Sequence, residues 1–144
     1  MTTFKRPLRV YAESKDANSD AGDVVLMQNA PIVFGDTSIT VGRLPPNTRI
    51  IEIYVDVMTF FNAGANNNID LGVVGELNRF GDNLPLTDVA RVLVSSDVSQ
   101  LINYGDTGDT GITLLATYNG TGTAPTQGMA EVTVVYVARA DLRT

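Results

Sequence analysis

The stretch RLPPNTRIIEIYVDVMTFF, residues 43–61, constrains the fold more than any other part of the chain. It begins with a turn at Pro45–Asn47, because proline cannot donate to a strand ladder and asparagine favours turns. An alternating run follows, in which Ile51, Ile53, Val55 and Val57 share one face and Glu52, Tyr54 and Asp56 share the other. Side chains alternate across a strand, so the run predicts a long β-strand with one face in a core and one in water.

Further strand-like segments, separated by turn residues, lie on both sides of this run. They are Val24–Phe34, Thr37–Leu44, Ile69–Gly75, Ile112–Gly122 and Gly128–Leu142. Pro31 restricts the first segment to a sheet edge or a bend, and Asn119–Gly120 is a strong turn signal that predicts the end of the fourth. The segment 62–68 reads as a loop. The segment 86–102 fits a strand or a short helix, and we favour irregular structure with one short helix.

Seven or eight short strands with turn residues between them predict an all-β fold. The expected architecture is a single antiparallel β-sandwich of jelly-roll or related Greek-key type, preceded by an extended N-terminal arm. The chain has 144 residues, of which 44% are hydrophobic and 18% charged, as in an ordinary globular domain. We assign residues 1–22 to the arm and its polar linker, and residues 23–144 to the sandwich.

Charge is distributed unevenly along the chain. The net charge is −6, which argues against a nucleic-acid partner. Lys5, Arg6 and Arg9 nevertheless give the first nine residues a charge of +3, which leaves a net of −9 on the rest. A basic arm on an acidic body is either a solvated terminus or a segment that reaches an acidic partner or a neighbouring subunit. With no long apolar run and no signal-like start, we expect a soluble protein made in the cytoplasm and no membrane partner.

Composition also limits the kinds of catalytic and metal site that the chain can contain. The chain has no histidine and no cysteine, which removes Ser-His-Asp catalysis, thiol nucleophiles and the usual zinc ligands. Glu52 and Asp56 share a strand face but are separated by four residues, or about 13 Å at roughly 3.3 Å per residue. Glycosidase carboxyl pairs are about 5–9.5 Å apart, so these two alone are not such a pair, although a neighbouring strand could supply a partner. We expect no enzyme activity and no cofactor.

Three weaker ligand signals remain. Asp106 and Asp109, or Asn68 and Asp70, supply loop oxygens for calcium, but neither pair matches the spaced acidic pattern of a calcium loop. The sequon Asn119–Thr121 has no meaning without secretion. The tyrosines could form a sugar-stacking platform, although their spacing better fits the edges of a core. They are Tyr11, Tyr54, Tyr104, Tyr118 and Tyr136.

Whole segments show a resemblance to one family. GRLPPNTRIIEIYVDVMTFFN followed by NNNIDLGVVGELNRF resembles the turn, long strand and next strand of capsid decoration, or cement, proteins of tailed bacteriophages. GMAEVTVVYV resembles their closing strand. The similarity covers residues 42–80 and 128–138, and this chain has Pro46–Asn47 where the family commonly has glycine. Asparagine also tolerates a left-handed backbone, so the departure is mild.

This resemblance implies a non-enzymatic virion protein that binds the outer surface of a capsid as a homotrimer and stabilises the expanded shell. Its partner would be the major capsid protein, and the family has no catalytic residues to transfer. We further expect the arm to contact the capsid or a sister subunit; the candidate residues are Phe4, Lys5, Arg6, Leu8, Arg9 and Tyr11. The alternative interpretation is a carbohydrate-binding or receptor-binding sandwich module.

Overall fold

The computed structural model describes residues 24–94 and 107–138, which form eight β-strands in two sheets. The strands are β1 (Val24–Val33), β2 (Ser38–Leu44), β3 (Thr48–Thr59), β4 (Asn66–Val73), β5 (Glu76–Pro85), β6 (Arg91–Leu93), β7 (Ile112–Thr121) and β8 (Met129–Ala138). No helix in this part of the chain is long and apolar enough to cross a membrane.

The two sheets have the strand order of a jelly roll. Sheet A has the order β1-β8-β3-β6 and sheet B the order β2-β7-β4-β5, and all strand pairs are antiparallel. The chain crosses from one sheet to the other at each connection except the β4–β5 hairpin. This arrangement confirms the predicted all-β sandwich of jelly-roll type. Within residues 24–94 and 107–138, β1 pairs only with β8, so the strand with Pro31 lies at a sheet edge, one of the two positions that its proline predicted.

The core is the space between the inward faces of the two sheets. Sheet A contributes Ile32, Ile50, Ile53, Val55, Val57, Ala130, Val132, Val134 and Tyr136. Sheet B contributes Val41, Leu44, Ile69, Leu71, Phe80, Leu114, Ala116 and Tyr118, and Leu86, the residue after β5, adds to them. These are mostly β-branched and aromatic residues at alternate positions, the pattern that suits a strand with one buried face. The predicted alternation of Val132, Val134 and Tyr136 is confirmed.

The predicted alternation of β3 is wrong at its first position. Ile51 is 49% exposed, whereas Ile50 is only 2% exposed. The cause is a β-bulge, because Ile50 is opposite Tyr136 and Glu52 is opposite the next residue of β8, which leaves Ile51 as an extra residue. A second irregularity in the same pairing, between Val57 and Thr59, leaves Met58 exposed. Ile53, Val55 and Val57 are buried as predicted.

Three predicted boundaries also need correction. β7 continues through Asn119–Gly120 to Thr121, because these residues pair with Asn66–Asn68 of β4. For the same reason β4 begins at Asn66, inside the segment predicted as a loop. The region predicted as irregular contains β6, which pairs with β3, and its residues 95–102 lie outside the described part of the chain.

Two turns at one end of the sandwich hold each other in place. Asn47 has a left-handed backbone, with φ 59°, and its amide donates to the Gly108 carbonyl at 2.8 Å. The Thr107 hydroxyl donates to the Pro45 carbonyl and accepts from the Thr48 amide. The turn before β3 is therefore fixed by hydrogen bonds to Thr107 and Gly108.

Candidate interaction surfaces

The outer face of sheet A is defined by the strand register. Alternate residues of β8, Met129 to Val137, point away from the core and are flanked by β1 on one side and β3 on the other. Across the sheet this gives five rows. The row at one end is Val33, Met129 and Thr59, and the two rows at the other end combine apolar residues of β1 and β8 with Arg49 and Glu52 of β3. The two rows between them contain Asn29, Thr133, Tyr54, Glu131, Asp56 and Arg91. The apolar residues therefore lie at the two ends of the face and are separated by a polar belt.

The first apolar end is the start of β1. Val24, Val25, Leu26 and Met27 are 55%, 66%, 42% and 58% exposed, and we call these four residues the β1 overhang. Val25 and Met27 lie on the outer face beside Val137 and Val135. The side chains of Val24 and Leu26 are on the side of the sheet that faces the core. They remain exposed because β1 extends beyond the part of the sandwich that β2 covers. The overhang thus exposes apolar side chains on both faces of the sheet.

A polar side chain marks the point where the overhang begins. Gln28 donates to the Arg43 carbonyl and accepts from the Arg43 amide, and it also donates to the Tyr136 hydroxyl at 2.8 Å. These bonds connect the edge of sheet A to the edge of sheet B. Gly42 is required beside them, since a Cβ there would collide with the Gln28 side chain. Gln28 therefore ties the middle of β1 to sheet B, and the overhang before it is held through its pairing with β8.

The second apolar end is a cluster we call the apolar rim. It consists of Val33, Phe34, Met58, Phe60 and Met129, each between 39% and 48% exposed. These residues come from the end of β1, the end of β3 and the start of β8, and the register places Met129 between Val33 and Thr59. Aromatic residues and methionine are enriched at protein–protein interfaces, so the rim has the composition of a docking surface.

The backbone under the apolar rim is held by hydrogen bonds. The side-chain oxygen Oδ1 of Asn62 accepts from the backbone amides of Thr126 and Gln127, and the Gln127 side chain donates to the backbone carbonyl of Phe60 at 3.1 Å. The Phe34 amide donates to the Gly128 carbonyl. A Cβ on Gly128 would collide with the buried ring of Phe61. The rim is thus presented by a fixed scaffold, which lowers the entropic cost of binding.

The polar belt is centred on an ion pair. Arg91 of β6 donates to both oxygens of Asp56, at 2.6 and 2.9 Å, and its guanidinium lies 4.3 Å from the centroid of the Tyr54 ring. The hydrogen bond from Arg91 lowers the pKa of Asp56 below its ordinary value. Asp56 also lies opposite Glu131 of β8. A glycosidase pair needs one acid with a raised pKa, whereas the pKa of Asp56 is shifted the other way.

The outer face of sheet B is polar along its length. The residues of β7 that point outward are Thr113, Leu115, Thr117 and Asn119, and their neighbours include Ser38, Thr40, Asn68 and Asp70. Asp70 accepts from the Asn83 amide at 2.7 Å and from the Asn119 side chain at 3.0 Å. Asn83 has a left-handed backbone that this bond stabilises. Asp70 therefore has a structural role here, in place of the calcium ligation weighed above.

The other predicted site residues are dispersed. Tyr118 and Tyr136 are buried, and Tyr54 is covered by Arg91, so the described tyrosines share no exposed platform. Asp109 is exposed in its turn. No group of three or more side chains able to bind a metal occurs within residues 24–94 and 107–138. Tyr104 and Asp106 lie outside the described residues. The same is true of the arm candidates, which are Phe4, Lys5, Arg6, Leu8, Arg9 and Tyr11.

Comparison with known proteins gives structural neighbours only. No family model and no curated protein matches the chain. A chain of the cyanophage Pam1 capsid asymmetric unit is similar over 92% of this chain and 94% of its own length, with 14% identity and a TM-score of 0.59. A chain of the acidic stable capsid of Helicobacter pylori bacteriophage KHP30 is similar over 81% and 90%, with 16% identity and a TM-score of 0.60. At these identities the similarity establishes a shared fold.

Proposed function

We propose that the chain is a structural protein of a tailed-phage virion that binds the outer surface of the capsid and stabilises the expanded shell, as a decoration or cement protein does. The observation that carries the proposal is the similarity over nearly the full length of both chains to a component of a phage capsid. It agrees with the independent resemblance of residues 42–80 and 128–138 to decoration proteins.

The surfaces of the jelly roll suit this role. A protein that holds shell subunits together needs apolar anchor residues surrounded by polar groups, and it needs no active site. The apolar rim supplies the anchors, and Asn62, Thr126 and Gln127 supply polar neighbours on the same scaffold. We therefore assign the capsid contact to the rim. In this proposal the partner is the major capsid protein, and the role involves no catalysis.

A trimer would strengthen weak contacts of this kind. Three copies joined together bind three equivalent shell positions at once, so their combined affinity exceeds that of one copy without any new contact. We propose a homotrimer on the capsid surface, made in the host cytoplasm before it joins the virion. The arm residues Phe4 to Tyr11 would then contact the capsid or a sister subunit, where their positive charge meets acidic surfaces.

The test is binding to purified expanded shells of the phage that encodes the chain. We expect the protein to sediment with the shells and to raise the temperature at which they rupture. A variant lacking residues 1–12 should remain folded but lose binding, whereas unchanged binding would refute the role of the arm. Light scattering should give a mass near three times 15.4 kDa. Absence of shell binding together with specific binding on a glycan array would favour the carbohydrate-binding alternative.

A further inference from the structure

The β1 overhang is an unguarded strand edge. Sheet A ends at β1, and no described strand pairs with β1 on the side away from β8. An exposed apolar edge is a template for pairing with another strand, and native proteins protect such edges with charges, prolines or bulges. The overhang sequence VVLM contains none of these, and its pairing with β8 is regular from Val24 onward.

The rest of β1 is protected from pairing with another strand, so only the four residues of the overhang are open to such pairing. Pro31 removes a backbone donor from the second half of the strand. Gln28 binds the backbone of Arg43, so β2 lies against the edge from that point. An incoming strand would therefore find room along Val24–Met27 only. Its inner face would continue the row of Leu26, Tyr136 and Ile50, which borders the core.

We propose that residues 8–11, Leu-Arg-Val-Tyr, of a neighbouring copy add as a strand along the β1 overhang. Leu8 and Val10 share one face of such a strand and would extend the apolar inner row, whereas Arg9 and Tyr11 would lie on the outer face. The arm has a charge of +3 and the rest of the chain −9, so arm and body attract each other. The exchange rests on the proposed homotrimer and specifies what joins its subunits.

The length of the connection favours a neighbouring copy over the same chain. Twelve residues, 12–23, separate Tyr11 from Val24, whereas β-hairpin loops usually have about 2–5 residues. Twelve extended residues span about 40 Å at roughly 3.3 Å each, which is comparable to the diameter of a domain of this size. In a ring of three, each copy would give one arm and receive one, so all three overhangs would be covered.

Disulfide trapping tests the exchange directly, because the chain has no cysteine of its own. A Val10→Cys variant with an affinity tag is mixed with an untagged Leu26→Cys variant, whose thiol lies on the same inner face, and oxidised. Each chain then has one thiol, so any tagged–untagged dimer joins two copies. We expect this dimer to form readily. The matched control replaces Leu26→Cys with Val74→Cys, in the exposed turn between β4 and β5, and should give little of it.

The double variant Val10→Cys with Leu26→Cys distinguishes the remaining arrangements. If the two thiols close within one chain, and the mixed single variants give no dimer, the arm folds back on its own sheet and the exchange is wrong. Absence of both products also overturns it. Binding of these same variants to shells is a separate readout, so loss of crosslinking with normal shell binding refutes the exchange and leaves the decoration role standing.

A charge on the edge gives a second test without cysteine. Val25→Lys places a charge on the overhang, and Val74→Lys places the same charge on a valine between β4 and β5 that is also well exposed. We expect Val25→Lys to reduce the mass measured by light scattering from trimer towards monomer, and Val74→Lys to leave it unchanged. Both sites are exposed, so both variants should fold. An unchanged trimer mass for Val25→Lys would overturn the proposal.

Discussion

The outer faces of the two sheets differ although the sheets have equal numbers of strands. Sheet B is covered by threonine, serine and asparagine, and Asp70 binds the backbone and side chains of its own neighbours. Sheet A ends in apolar residues on both sides of a polar belt, and those ends are 39% exposed or more at each named position of the overhang and the rim. The outer face of sheet B is mainly polar, whereas that of sheet A leaves apolar surface exposed.

The difference arises from two features of sheet A. The bulge of β3 turns Ile51 outward at one end, and Met58, which follows the buried Val57, is exposed at the other. β1 adds the overhang and Val33. A sheet that only had to stay in water would carry polar residues at these positions, since large exposed apolar patches mark interaction sites. Under the proposed function, sheet A is the face that the partner would cover.

The largest expected effect on the free energy of unfolding tests which side chains of β3 face the core. Ile53→Ala removes a fully buried side chain and should cost about 2–5 kcal/mol of unfolding free energy, because it leaves a cavity in the core. Ile51→Ala, two residues away on the same strand, should change it by only about 0.5 kcal/mol, as at other exposed sites. Chemical denaturation measures both. Equal losses at the two positions would show that Ile51 is buried and that the bulge is absent.

This bulge shows where sequence reasoning stops. The alternation from Ile53 to Val57 predicted a strand and its buried face, because a period of two is local information. Ile50 and Ile51 are both isoleucine, so nothing in the pattern says which one is the extra residue. Only the pairing with β8 decides it. Likewise Asn119–Gly120 is a good turn sequence, but pairing with β4 keeps it in a strand.

The candidate surfaces were less predictable than the fold. The sequence indicated an edge strand from Pro31 and an arm from its charge, and the edge is confirmed. The apolar rim brings together residues from three separate strands and connections, and local patterns do not specify which strands are neighbours. The polar belt depends on β6, a three-residue strand that lay within the segment predicted as irregular. The arm remains a prediction.

The next largest effect on the free energy of unfolding tests whether the hydrogen bonds of Asp70 stabilise sheet B. Asp70→Ala removes a carboxylate that accepts hydrogen bonds from Asn83 and Asn119. Hydrogen bonds to charged groups contribute about 1.5–3 kcal/mol, so in this half-buried position a loss of about 1–2 kcal/mol is expected. Asp82→Ala, on the exposed part of β5, is the control and should cost much less. A negligible loss at Asp70 would mean that the polar face of sheet B contributes little to stability.

A smaller effect concerns the ion pair on the polar belt of sheet A. The pKa of Asp56 is lowered in the folded protein from its ordinary value of 3.8, mainly by the hydrogen bond from Arg91. Its contribution to stability is therefore present above pH 3.8 and is lost as the pH falls through the lowered folded pKa. The pair is at the surface, so the contribution is small.

The melting temperature of Asp56→Asn should accordingly be slightly below that of the unmodified protein at pH 7, and the gap should narrow as the pH falls below 3.8. Asp88→Asn, in the exposed segment before β6, serves as the control for general charge effects and should show no such closing gap. A gap for Asp56→Asn that persists unchanged at low pH would mean that the ionised carboxylate does not stabilise β6.

The smallest effect on stability is expected at the apolar rim, where the effect on binding should be largest. Met58→Lys places a charge on the rim, and Thr40→Lys places one on the outer face of sheet B. Both sites are exposed, so each unfolding free energy should change by only about 0.5 kcal/mol. If the rim is the docking surface, Met58→Lys should weaken binding to expanded shells about tenfold or more, whereas Thr40→Lys should bind normally. Equal binding by the two variants would remove the distinction between the faces, because a partner that tolerates a charge on the rim does not cover it.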